Sequence, residues 1–287
     1  MSKHWGDRRD ATLLRDIDSM HYIMPLMYPN RCDNEAFISE RIDLTNVNKY
    51  LEKKNADDPA YKYNIFQIIV TAVLKTITLR PQLNRFIANY NLYQRDGVSA
   101  AFTIKKIFTD EGDEALAFLR AKPTDNIDSI HDEIFRQVSY VRHEGKDPST
   151  ESMDMLQKIP LIFKKPLGAG ARFLDRHGWM PQSVIETDPY QSSVVLANLG
   201  SIKLHSGYHH LTNWGTTSLF CIIGEKKPRR FELGDGTTEL RDSIDIGLTV
   251  DERISDGFYC SRAVRLLKTL LESPELLELP LEEKVEY

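Results

Sequence analysis

Long apolar runs are missing from this 287-residue chain. None approaches the roughly 20 residues a helix needs to cross a bilayer, so no transmembrane span is expected. Cysteine is scarce: Cys32, Cys221 and Cys260 are widely spaced. An odd count without a C-x-x-C pair excludes a disulfide scaffold and a zinc knuckle. Cys221 sits inside an apolar run and reads as a buried core thiol. An excess of one charge is also missing, with 37 Lys and Arg against 42 Asp and Glu. The basic pieces, Lys105-Lys106, Lys164-Lys165 and Lys226-Lys227-Pro228-Arg229-Arg230, are short, so the chain carries no electrostatic footprint for nucleic acid. The last piece reads as a solvated loop or as a partner for a phosphate-bearing ligand. Gly168-Ala169-Gly170 lacks the spacing of a phosphate-cradling loop. Met1 to Asp7 contains no apolar segment of a signal peptide. The expected compartment is therefore reducing and cytoplasmic. Internal repeats and low-complexity linkers are absent too.

The residues that are present fall into a clear order of elements. Leu13, Leu14 and Ile17 mark a short amphipathic helix in a polar N-terminal arm, residues 1–23, that packs on a neighbouring subunit or stays loosely held. Pro25 and Pro29 argue against a regular helix there. Phe37 to Leu44 reads as a strand, with Asp43 or Thr45 capping a helix to about Lys54. Residues 63–80 are apolar on most of a helical surface, predict a buried core helix, and stop at Pro81. A strand, a turn at Asp96-Gly97 and a second strand from Val98 to Phe108 read as a hairpin. Residues 111–144 read as helical, 145–152 as a polar loop, and 153–180 as one or two helices broken by Pro160, Pro166 and the glycines. Residues 192–200 are a buried strand and 201–215 a loop bearing His205, His209, His210 and Trp214. Strands at 217–224 and 239–250 flank a turn at Gly234-Asp235-Gly236. An acidic tail, residues 276–287, ends the chain.

Asp251-Glu252-Arg253-Ile254-Ser255-Asp256-Gly257 closes the last strand and opens a helix over 257–272. On physical grounds this turn has two readings. Asp256 caps the helix, which suits the positive end of the helix dipole, or the charged cluster at a strand end is an active site.

These seven residues resemble the D-H-R-x-x-D-G motif in the catalytic (acyltransferase, E2) domains of 2-oxo acid dehydrogenase complexes. They also resemble the H-H-x-x-x-D-G motif of chloramphenicol acetyltransferase, down to Phe258 after the glycine. Ile42-Asp43-Leu44-Thr45, Arg80-Pro81-Gln82-Leu83-Asn84-Arg85-Phe86, Asp188-Pro189-Tyr190 and Asn198-Leu199-Gly200 extend the likeness over residues 24–275. The resemblance implies an α+β fold, a mixed sheet with helices packed on one side, assembled as a homotrimer with the site between subunits. It implies an acyl-coenzyme A-dependent acyltransferase acting on a small acceptor. With no lipoyl-carrying domain before the core, it reads as a stand-alone version. Coenzyme A enters as co-substrate, and no metal, nucleic acid or membrane is expected.

The motif's histidine falls at Glu252. A carboxylate is a weaker base than an imidazole by about two pKa units, roughly 3 kcal/mol, although burial raises a carboxyl to about 6–7. His209 and His210 are the alternative bases. Asp256 takes the structural role of the motif's aspartate, with Arg31 as its candidate partner. Ser193 and Thr216 are candidates for contacting substrate, because Val195 and Ala197 stand where hydroxyl residues often do. The alternative is a catalytically degenerate trimeric member that binds a ligand or partner without acyl transfer.

Overall fold

One long strand organises the molecule. β10 (Thr238–Asp251) pairs antiparallel with β2 (Glu35–Asp43) on one side and with β8 (Leu219–Ile223) on the other. Beyond β8 come β7 (Val194–Asn198) and β5 (Val98–Lys105), both joined in parallel, and then the antiparallel edge strand β6 (Glu114–Ala121). β9 (Lys227–Glu232) pairs with the first half of β10. A separate three-stranded sheet holds β1 (Ala11–Leu13), β4 (Asn91–Arg95) and β3 (Arg85–Ala88). The computed structural model describes residues 3–105, 114–144 and 158–287.

β8 is buried at every position, as expected of strands covered on both faces, where the pattern becomes a continuous apolar run. Helices α2 (Thr45–Lys54), α3 (Ile65–Leu79), α4 (Ile127–Glu144) and α7 (Gly257–Glu272) cover one face and share the main core with Leu196, Cys221, Ile246 and Val250. Burial pushes the Cys221 thiol up to about 12, consistent with an inert core thiol. The other face carries a smaller cluster, Ala101, Val195, Phe220 and Ile222, closed by Leu211 from the loop before β8. The helix predicted over 63–80 is α3, started by a reciprocal Asn64–Gln67 capping box. Among the described residues no helix is long and apolar enough to cross a membrane.

Several local expectations are corrected. Leu13 lies in β1, not in a helix, and β1 pairs with β4 of the same chain. Helix α1 (Ser19–Met27) contains Pro25. The proline falls in the last turn, so its missing N–H removes a single bond. Asp96-Gly97 is not a hairpin turn, because β4 pairs with β1 and β3 while β5 enters the large sheet. The hairpin is instead β3–β4, turned by Asn89 and Tyr90 in left-handed conformation (φ 46° and 62°). Residues 114–121 form a strand, since Ala115, Ala117 and Leu119 face inward in alternation. Helix α5 (Leu161–Arg176) runs through Pro166 and both glycines, whose Cα positions face open space; α6 (Gln182–Thr187) follows. Residues 106–113 and 145–157 lie outside the described residues, and with them the end of the Val98–Phe108 strand and the polar loop.

Both ends of the chain pack on this core. Arg8 is buried and hydrogen-bonds the Asp175 carbonyl. Leu277 and Leu281 are fully buried, and Lys75 Nζ donates to the Pro280 carbonyl (2.5 Å).

Candidate functional site

Asp251 is the last residue of β10 and is fully buried. Its carboxylate accepts two bonds from the equally buried Arg253, Nε to Oδ1 (2.8 Å) and Nη2 to Oδ2 (2.7 Å). Arg31 Nε stands 3.7 Å from Oδ2. Nη1 and Nη2 of Arg31 donate to the Thr212 and Gly215 carbonyls (2.7 and 3.0 Å). Burial lowers the Arg31 pKa to about 10, partly countered by Asp251. Arg31 therefore does not pair with Asp256, as expected, but with Asp251. Asp256 is exposed and accepts the Tyr259 N–H (2.7 Å) as the N-cap of α7. The reason is positional: Asp251 is still on the strand with its side chain turned in, whereas Asp256 follows the turn.

Glu252 and His210, two of the three base candidates, part company at this strand end. Glu252 is exposed, and its backbone N–H bonds the Asn34 carbonyl (3.0 Å). It lines a cleft of about 530 Å³ with Ile38, Val250, Cys260, Arg265 and Lys268, on the helix side of β2 and β10. His210 belongs to the other face. There its Nδ1 contacts Glu35 Oε2 (2.6 Å), and its ring lies edge-on to Phe37 (6.1 Å). The Glu35 side chain is only 3% exposed, against 80% for His210. Glu35 Oε1 also accepts the Leu211 N–H (2.5 Å). Glu35 pairs with Asp251 across β2 and β10, so the buried carboxylate that holds His210 sits directly beside the motif turn.

The loop reaches this position because β10 lets it pass. A Cβ at Gly247 would lie 2.0 Å from the Gly207 carbonyl oxygen, so only glycine permits the crossing. His209 stacks on Phe220 (4.4 Å, 13°) and its Nδ1 contacts the His210 carbonyl (2.7 Å). Its ring fastens the loop to the sheet.

Ser193 and Thr216 do not reach either base. Ser193 Oγ accepts the Ser99 N–H (3.0 Å), joining β5 to the start of β7. Thr216 Oγ1 donates to Gln191 Oε1 (2.8 Å) and accepts from Arg95 Nη2 (3.0 Å). Both side chains are buried, and the Thr216 hydroxyl both donates and accepts within the scaffold. Two site residues were not picked out from sequence, Glu35 and Asp251. The available signal for Glu35 was its place at the start of a strand, but the pairing register that sets it beside the motif is long-range.

A larger cavity, about 940 Å³, opens between α2, the start of α3 and the far ends of β7 and β8. Asn198, Gly200, Tyr63, Phe66, Lys62 and Lys226 line it. The nearest β10 residues are Asp242 and Ile244. Ile244 to Asp251 spans seven residues, about 23 Å of strand, so the cavity lies beside the middle of β10, well away from the motif turn at its end. Among the described residues, no three His, Cys, Asp or Glu side chains gather as a metal site.

Comparison with known proteins locates this arrangement by its shape. No family model matches the chain, and no curated protein matches it. Solved structures do. The cubic core of a pyruvate dehydrogenase multienzyme complex superposes with a TM-score of 0.62 at 13% identity, over 93% of this chain and 95% of that one. A probable dihydrolipoamide acetyltransferase from Listeria monocytogenes gives 0.59 at 14%, over 91% and 94%. A chloramphenicol acetyltransferase gives 0.56 at 11%, over 91% and 99%. The chain therefore has the mixed-sheet fold of the E2 catalytic cores and chloramphenicol acetyltransferase.

Proposed function

We propose, from this shared fold, that the protein is an acyl-coenzyme A-dependent acyltransferase whose general base is His210, working as a homotrimer on a small acceptor. The carrying observation is the Glu35–His210 pair. A buried carboxylate at Nδ1 fixes the imidazole's orientation and tautomer and leaves Nε2 as the base. His210 Nε2 takes the proton from the acceptor's hydroxyl, amine or thiol. The acceptor attacks the thioester carbonyl carbon, and the tetrahedral intermediate expels the coenzyme A thiolate. The thiolate regains the proton from the imidazolium. Glu252, on the helix side of the sheet, has no part in this step.

The 940 Å³ cavity suits the coenzyme A arm. Its walls mix apolar side chains with amides, and Lys62 and Lys226 on its rim can meet phosphates. Their present partners, Asp58 and Asp242, form largely exposed pairs, which are weak and easily exchanged. Because the cavity lies about 23 Å along β10 from the strand end where Glu35 holds the base, a complete site needs a second copy to bring its His210 to the first copy's cavity. Exposed apolar side chains on α1 (Met20, Tyr22, Leu26) and α5 (Leu161, Ile162) offer surfaces for such contacts.

A second reading, a trimer that binds ligand without turnover, is favoured by Thr216, whose hydroxyl already donates to Gln191 Oε1, and by the burial of Ser193 away from His210 and Glu252. Thiol release from acetyl-, propionyl- and longer acyl-coenzyme A, with a broad acceptor panel, separates the two. Turnover supports the first reading. Coenzyme A raising the melting temperature without turnover supports the second, and neither effect overturns both.

A further inference from the structure

A second polar cavity, about 300 Å³, lies behind the motif turn. It is enclosed by Arg31, the β3–β4 hairpin tip, the end of α5, Asn213 to Gly215, and Arg253. Its volume equals about ten water molecules at roughly 30 Å³ each. Three guanidinium side chains line it, Arg31, Arg176 and Arg253, against one carboxylate, Asp175. Asp175 is already held by Arg8 (3.4 Å) and by Gln191 Nε2 (3.0 Å). Beneath the cavity Asp251 is committed to Arg253. Arg8 has its own carboxylate partner in Asp10 (3.1 Å), so Arg31, Arg176 and Arg253 face two carboxylates, Asp175 and Asp251, that are both already paired.

Arg31 and Arg253 are buried, and Arg176 stands at the exposed edge of the cavity. Arg31 is 5% exposed, and its Nε makes no hydrogen bond. A buried donor left unmade costs about 1–3 kcal/mol, more when charged. Burial holds the Arg31 pKa down at about 10 even with Asp251 nearby. An anion in the cavity would relieve each of these deficits, and guanidinium geometry fits carboxylate and phosphate oxygens.

We infer that this cavity is a binding site for a small oxyanion, a carboxylate or phosphate group, held by Arg31, Arg253 and Arg176. The site uses neither His210 nor the 940 Å³ cavity, so it stands whether or not the chain transfers acyl groups. Arg31 also bonds the Thr212 and Gly215 carbonyls, so a bound anion bears on the loop that carries His210.

The test is thermal unfolding of the full chain with increasing phosphate or succinate, against sodium chloride at matched ionic strength. Ligand bound only by the folded state raises the melting temperature saturably. The expected result is a saturable rise with at least one of the two anions. Phosphate alone assigns a phosphate group, succinate alone a carboxylate. The exposed Arg176→Ala variant should weaken the rise at least tenfold in half-saturating concentration, and Asn89→Asp, which adds a like charge at the hairpin tip, should do the same. No rise beyond that with chloride, or a rise unchanged in both variants, overturns the inference.

Discussion

Asp251 and Asp256 stand close in sequence and do different work. Asp251 is a fully buried anion between two guanidiniums, and Asp256 is an exposed cap. Asp251→Asn leaves buried arginines without their counter-charge and should cost about 3–5 kcal/mol. Asp256→Ala removes one capping bond and should cost about 1 kcal/mol. Urea unfolding of both variants measures the difference; equal losses would contradict the assignment. The sequence motif made the turn visible but pointed to the wrong aspartate, because which carboxylate faces inward depends on where β10 ends, and strand ends are not sharply encoded. His210 was legible as a candidate. Its partner Glu35 was not, because 175 residues separate them, and it takes both the β2–β10 register and the loop crossing at Gly247 to bring them together.

The crossing of the 205–211 loop over β10 rests on Gly247, where a side chain would meet the Gly207 carbonyl at 2.0 Å. Gly247→Ala should lower the melting temperature and displace His210 from Glu35. If the protein is active, kcat should fall with it, and an unchanged melting temperature would contradict the close approach. On α4, His131 is buried and stacks on Tyr63 (3.8 Å). Burial lowers its pKa below the ordinary 6.5, against the pull of Asp132 and Asp128 and alongside the opposing charge of Lys54. The folded chain refuses a proton that the unfolded chain accepts. This contribution is therefore complete above about pH 6.5 and is lost as pH falls toward the folded pKa. His131→Phe should lose less stability than wild type between about pH 7.5 and about pH 5.5, as measured by urea midpoints; identical losses would count against it. α3 was readable throughout from its apolar surface and from Pro81. The β3–β4 hairpin was missed, since Asn89-Tyr90 is a weaker turn signal than Asp96-Gly97, and the stronger signal marks a corner between two sheets.

The overall fold was recognisable because short motifs spread along the chain agreed on one order of helices and strands, while the proline rule failed locally at Pro25 and Pro166, where helix ends and open surface tolerate it. The site was less readable, since its parts lie on different faces and far apart along β10. That separation predicts assembly. Three chains of 33.0 kDa should elute with a light-scattering mass of about 99 kDa, and a monomer at working concentration would remove the proposed way of completing the site. The proposed chemistry is tested most directly by coenzyme A release from acyl-coenzyme A, measured side by side for wild type, His210→Gln and Glu252→Gln. General-base catalysis is worth roughly 10²–10⁴-fold, so His210→Gln should lose at least about a hundredfold in kcat while Glu252→Gln stays within a few-fold of wild type. Full activity in His210→Gln with loss in Glu252→Gln would contradict the account and return the base to the motif turn.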